Sequence, residues 1–112
     1  MSDTRTVSWD SSNNTLTVGS DVVVTAAETI TWVKGTSINS ITLVQIGDDW
    51  PYSQPSGPAG DGSWSVFDQD SEGGTVSYKY TVAANVAGVG VRTLDPRIED
   101  EPPPFANTGG RY

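Results

Sequence analysis

The stretch from Thr75 to Val82 alternates strictly between two kinds of side chain. One set of alternate positions is apolar or aromatic: Val76, Tyr78, Tyr80 and Val82. The positions between them are polar: Ser77, Lys79 and Thr81. Such alternation in β-branched and aromatic residues is typical of a half-buried strand. Because the run from Val89 to Leu94 follows closely enough to return antiparallel, the pattern predicts a central strand with both tyrosine rings in the core or at its margin.

Further short extended runs occupy most of the chain and are separated by Gly, Pro, Asn, Asp and Ser. The predicted strands cover residues 6–9, 15–18, 21–25, 29–33, 40–46, 63–67, 75–82 and 89–94. No stretch with helical period exceeds a couple of turns. Seven or eight short strands without helices predict an antiparallel β-sandwich with Greek-key connections. A closed β-barrel is the alternative.

The chain has 112 residues, which is the size of one domain. We expect residues 1–98 to form this domain. The remainder, 99–112, is acidic at first and then rich in Pro and Gly. This composition predicts a disordered or extended tail.

Missing residue types exclude several activities. The sequence contains no cysteine, which excludes a disulfide, a thiolate metal site and a cysteine nucleophile. It also contains no histidine, the commonest general base and the commonest transition-metal ligand. Fourteen acidic and six basic residues give a net charge of -8, which disfavours nucleic acids and anionic membrane surfaces. No apolar run approaches a membrane span. The first residues lack the features of a secretory signal, so we expect a cytoplasmic protein if Met1 is the natural start.

Two segments carry a resemblance to known folds. The Val-rich run and the aromatic strand within 21–34 resemble the early strands of cupredoxin-like sandwiches. Residues 78–82 and 94–98 are similar to the closing strands of small, mostly uncharacterised bacterial immunoglobulin-like or cupredoxin-like proteins. The resemblance implies a sandwich fold but no copper chemistry, because a blue-copper site needs two His and one Cys.

The longest irregular segment, 47–62, contains three prolines and two bulky aromatic residues, Trp50 and Tyr52. Aromatic side chains on loops give rigid contact area at low entropic cost. We therefore predict Trp50, Tyr52 and the nearby Trp64 as binding residues. In an alternative interpretation, Trp50 folds back and caps one end of the sandwich. Asp48 and Asp49 precede Trp50, but no set of nucleophile, base and orienting group accompanies them, so we predict that the protein is not an enzyme.

Acidic residues recur at alternate positions in the segment before the central strand. Asp68, Asp70 and Glu72, followed by Gly73, are similar to the opening of an EF-hand calcium loop. The similarity ends there, because Lys79 stands where a bidentate Glu is needed. The other interpretation is a solvated acidic turn between two strands.

These observations favour a non-catalytic module that recognises a partner through the 47–62 loop or an exposed sheet edge. The partner would be a protein, a small molecule or a carbohydrate. The alternative function is a structural domain stabilised by calcium at the acidic turn. Gly88 and Gly90 weaken the last strand, so self-association through an exposed edge is a third hypothesis.

Overall fold

The computed structural model describes residues 2–19, 21–70 and 74–100, and these residues form strands and no helix. The nine strands are β1 (Ser2–Asp10), β2 (Thr15–Thr17), β3 (Val22–Val24), β4 (Glu28–Lys34), β5 (Ile38–Ile46), β6 (Trp64–Asp68), β7 (Val76–Val86), β8 (Gly90–Leu94) and β9 (Arg97–Asp100). The all-β prediction is confirmed. The sequence predicts seven or eight strands. The described part of the chain has nine, because the short strand β9 follows the last predicted strand.

The strands form two sheets, and neither closes on itself within the described ranges. The first sheet has the order β2-β1-β4-β6, and the second has the order β3-β9-β7-β5, with β8 also paired to β7. The prediction of purely antiparallel pairing is wrong for two pairs, since β1 lies parallel to β4 and β3 lies parallel to β9. Alternation of side chains along a strand sets its two faces but does not select its neighbours. For this reason the sequence pattern missed the parallel pairs.

Strand β7 is central, as its sequence pattern predicts. It pairs with β5 along one edge, and with β9 and then β8 along the other. Tyr78, Tyr80 and Val82 are buried, whereas Ser77 and Lys79 are exposed. The predicted orientation of the two faces is therefore confirmed.

Two tryptophan side chains connect the sheets across the core. The Trp32 Nε1–H donates a hydrogen bond to the Tyr80 hydroxyl at 3.2 Å, and the two ring centroids lie 5.2 Å apart. Burial raises the pKa of the Tyr80 phenol, so this hydroxyl stays protonated at neutral pH. The Trp64 Nε1–H donates to the Ile41 carbonyl at 2.9 Å. Because residues of both sheets belong to one buried cluster, the two sheets share a single core.

The β7–β8 hairpin forms one exposed edge of the second sheet. The Val89 N–H donates to the Val86 carbonyl at 3.0 Å, and Gly88 has a φ of 75°. A positive φ at the third position defines a type II turn, which favours glycine. Among the described strands β8 pairs with β7 alone, and most of its side chains are exposed. The predicted edge strand is thus present, and self-association through it stays a prediction.

The end of the folded region lies beyond the predicted boundary at residue 98. Strand β9 continues to Asp100, whose side chain is fully buried, and it pairs with both β7 and β3. Residues 101–112, the rest of the predicted tail, lie outside the described residues. No helix in the described ranges is long and apolar enough to cross a membrane.

Replacing Tyr80 with alanine tests the central position of β7. Tyr80 is 1% exposed, so Tyr80→Ala leaves a cavity and should lower the free energy of unfolding by about 3–5 kcal/mol. Thr81→Ala removes only an exposed hydrogen bond to Asp95 and should cost less than about 1 kcal/mol. Urea denaturation of both variants measures the difference. Equal losses would contradict the assigned role of this strand.

Candidate functional site

The 47–62 loop is fixed to the free edges of two strands, one from each sheet. The Gln54 side-chain amide makes two hydrogen bonds to the backbone of Ile46 in β5, accepting from its N–H at 2.7 Å and donating to its carbonyl at 2.9 Å. Farther along, Ser56 pairs with Ser65 of β6 through two backbone hydrogen bonds of 2.9 and 3.0 Å. The loop therefore covers part of the open side where β5 and β6 end the two sheets.

The loop also packs closely on the core at Gly57. A Cβ atom at this position would lie 2.7 Å from ring atoms of Trp64 and 2.9 Å from the Ser63 carbonyl oxygen. Contacts this short do not occur for real side chains, so the backbone can approach the indole only because residue 57 is glycine. This approach and the hydrogen bond to Ile41 place Trp64 at 9% exposure.

The three predicted binding residues have different environments. Trp50 is 6% exposed, donates from Nε1 to the Ser53 carbonyl at 3.0 Å, and packs edge-on against Tyr78 with centroids 4.9 Å apart. The structure therefore agrees with the interpretation in which Trp50 folds back onto the sandwich. Tyr52 packs edge-on against Trp50 and remains half-buried. Since the indoles of Trp50 and Trp64 present little surface, the binding prediction depends on Tyr52.

The edge of β6 becomes free immediately after the contact with Ser56. Both backbone groups of Ser65 bond to Ser56, so they point away from β4. In an antiparallel pair the backbone groups of alternate residues point the same way, so those of Phe67 also point to the free edge. The Phe67 side chain lies on the outer face of β6 and is 52% exposed. Phe67 thus places an aromatic ring and a free strand edge at the same position.

Between the loop and this edge lies a groove of about 370 Å³. It is lined by uncharged residues of the loop, β4, β6 and the segment after β6: Thr29, Tyr52, Ser53, Gln54, Ser56, Ser65, Val66, Phe67 and Gln69. None of these described lining residues is charged, although the chain has a net charge of -8. We call this feature the edge groove.

Most residues of the edge groove are absent from the sequence-based prediction, which identified Tyr52 alone among them. Alternation in residues 63–67 puts Phe67 on the strand face opposite Trp64 and Val66, but it does not show which of the two faces is the outer one. No sequence pattern indicated that Gln54 contributes to the groove, because its position depends on where the loop meets β5.

A second depression, of about 260 Å³, lies on the outer face of the second sheet and is charged. Its lining includes Lys79, Asp48 and Asp95. Asp49, the other member of the acidic pair, is exposed and does not line it. Asp95 accepts a hydrogen bond from the Thr81 hydroxyl at 2.9 Å. Asp48 therefore shares this depression with Asp95 and Lys79, and the sequence neighbours Asp48 and Asp49 do not line it together.

Two of the three predicted calcium residues, Asp68 and Asp70, lie within the described residues. Asp68 is the last residue of β6 and fully buried, and its Oδ1 accepts a hydrogen bond from the Asp70 N–H at 2.8 Å. Asp70 has a φ of 49°, as expected of a tight turn. Glu72 lies outside the described residues. No group of three or more metal-ligating side chains occurs in the part of the chain that the structure describes, and calcium binding stays a prediction.

Acidic groups also surround Glu28. Glu28 is the cross-strand partner of Asp68 and is 7% exposed. Burial raises the pKa of the Glu28 carboxyl, and the negative charges of Asp3 and Asp68 raise it further. Arg5 opposes this effect, and it also forms a 2.9 Å ion pair with Asp3. Ionised Glu28 therefore destabilises the folded state.

No protein-family model and no curated protein matches the sequence. The functional argument therefore depends on the geometry and chemistry of the site itself.

The variant Gln54→Ala tests whether the loop is held at the edge of β5. It removes both hydrogen bonds to Ile46, and we expect it to lower the free energy of unfolding by about 1–3 kcal/mol. Hydrogen exchange should accelerate selectively at the Ile46 amide. Gln45→Ala, at an exposed neighbouring position, is the control and should leave that amide protected. Unchanged exchange in Gln54→Ala would contradict the proposed attachment.

Glu28→Gln should change the pH dependence of stability. Because the folded-state pKa lies above the ordinary value of 4.5, the folded protein holds this proton more tightly than the unfolded chain, and stability falls as the pH rises through this window. The variant lacks this loss, so its melting temperature should exceed that of the wild type more at pH 7 than at pH 4.

Asp10→Asn is a control for which we expect the opposite change of stability with pH. Hydrogen bonds from the Asn13 side chain and the Ser12 N–H lower the pKa of the Asp10 carboxyl. Its stabilising effect is present above the unfolded-state pKa and lost as the pH falls. This variant should therefore be less stable than the wild type at neutral pH and approach it in acid. If the stability difference from the wild type changed with pH in the same direction for both variants, the assigned directions of the two pKa shifts would be contradicted.

Proposed function

We propose that the protein is a non-catalytic binding module and that the edge groove is its recognition surface. The observation that carries the proposal is the position of Phe67. Its ring is 52% exposed beside the half-buried Tyr52, and its backbone lies on the free edge of β6. Among the exposed large apolar side chains of the described residues, Phe67 alone is aromatic.

The attachment of the loop supports this proposal. Gln54 fixes the loop to β5, and Ser56 fixes it to β6. Both walls of the edge groove are therefore ordered before a ligand arrives. A preorganised site loses less conformational entropy on binding, so more of the contact free energy becomes affinity.

The chemistry of the groove supports the absence of catalysis. The described residues of its lining contribute hydroxyls and amides, and none of them carries a carboxylate, ammonium or guanidinium group. A serine hydroxyl needs an adjacent base to act as a nucleophile, and histidine is absent from the sequence. These groups can donate and accept hydrogen bonds, which suits recognition.

We further propose that the fold is a Greek-key sandwich of the immunoglobulin-like or cupredoxin-like kind. A single core shared by two sheets supports this, as do the five connections that cross between the sheets, from β2 to β3, β3 to β4, β4 to β5, β5 to β6 and β6 to β7. In such sandwiches loops at the strand ends and exposed edges serve as binding surfaces. The partner is a protein, a small molecule or a carbohydrate.

Screening on peptide and glycan arrays tests the site. We expect the wild type to be captured, and Phe67→Ala to lose about 90% of the captured signal because an aromatic anchor contributes a large share of binding energy. Val91→Ala is the matched control, since Val91 is 56% exposed on β8, away from the groove. Equal capture of wild type and Phe67→Ala would contradict the assignment. Absence of capture on both arrays would contradict a binding function for these ligand classes.

A further inference from the structure

We infer that the ligand of the edge groove is a neutral oligosaccharide. This inference rests on the proposed function and names the chemical class that the same groove would recognise. Three observations carry it: the uncharged hydrogen-bonding groups of the lining, the placement of the aromatic rings, and the small length of free strand edge.

The polar groups of the groove are hydroxyls and carboxamides. Ser53, Ser65 and Thr29 contribute hydroxyl groups, and Gln69 contributes a carboxamide. Each of these groups both donates and accepts hydrogen bonds. A sugar hydroxyl has the same dual capacity, so the groove matches it without needing a charge. A charged ligand would find no opposite charge among the described lining residues to offset its desolvation.

The aromatic side chains provide the apolar contact that a sugar ring requires. A pyranose ring exposes C–H groups on its faces, and these pack against aromatic carbon. Phe67 presents a half-exposed ring on the wall formed by β6, and Tyr52 presents a half-buried ring on the loop. An apolar surface with a few convergent polar groups is the usual composition of a small-ligand site, and 370 Å³ lies within the range of about 300–1,000 Å³ for such sites.

A peptide bound as an added strand is less compatible with this edge. Strand addition gains affinity from a row of backbone hydrogen bonds at alternate residues. On the free side of β6, Ser65 is already paired with Ser56, and Phe67 is the next residue that points outward. Because β6 ends at Asp68, only one residue of the strand remains to accept a partner.

Titration of the isotope-labelled full chain, followed by NMR, tests the inference. The probes are neutral hexasaccharides of glucose, xylose, mannose and N-acetylglucosamine, an acidic oligogalacturonate, and an uncharged extended peptide of Thr and Val. We expect at least one neutral hexasaccharide to shift the backbone amides of Phe67 and Gln69. The affinity should change little with added salt, because no ion pair forms.

Substitutions locate the contact. Phe67→Ala and Gln69→Ala should each weaken binding of the active hexasaccharide about tenfold, while Leu43→Ala, at an exposed position of β5 outside the groove, should leave it unchanged. The thermal melting curves of the variants are recorded as well, so that a loss of binding in a folded variant is assigned to the site. Unchanged affinity in both groove variants would overturn the inference.

The outcomes separate the inference from the proposed function. If the peptide alone shifts the groove amides, the site stands and the saccharide class is wrong. Binding of the acidic oligogalacturonate alone, with strong salt dependence, also overturns the neutral class. If no probe shifts a groove amide, or shifts occur only around the charged depression at Lys79, both the inference and the assigned site are overturned.

Discussion

The contact between Trp32 and Tyr80 connects the two sheets at the centre of the core. The sequence contains no cysteine, so the sheets are held together by packing and hydrogen bonds alone. The indole N–H of Trp32 bonds to the Tyr80 hydroxyl, and the tilted rings bury a large apolar area at the same point. Because Tyr80 lies on the central strand β7, the position of this ring also constrains β5, β8 and β9, which pair with that strand.

A second constraint comes from the edges of the sheets. An exposed edge presents unpaired backbone groups that invite association with another chain. Here the 47–62 loop reduces this exposure, with Gln54 bonded to Ile46 and Ser56 paired with Ser65. The loop covers β6 only as far as Ser65, and the edge groove begins where this cover ends. The candidate site is therefore a consequence of incomplete edge protection.

Charge is distributed unevenly with respect to this groove. Buried or half-buried acidic groups gather near Glu28 and Asp68, where burial raises the pKa of Glu28 and lowers stability at neutral pH. The edge groove lies near this end, yet the lining residues that the structure describes are all uncharged. Glu28 and Asp68, the acidic groups of this end, therefore lie outside the described lining of the groove.

The sequence by itself determined the all-β class, the central strand and the orientation of its faces. These follow from local periodicity, since alternate side chains of a strand necessarily lie on opposite faces. It also left two possible positions open for Trp50. Tertiary structure decided the parallel pairs, the burial of Trp50 and Trp64, and the attachment of Gln54 to β5. These features join residues distant in sequence, and the choice among such partners depends on packing of the whole core, which no local pattern encodes.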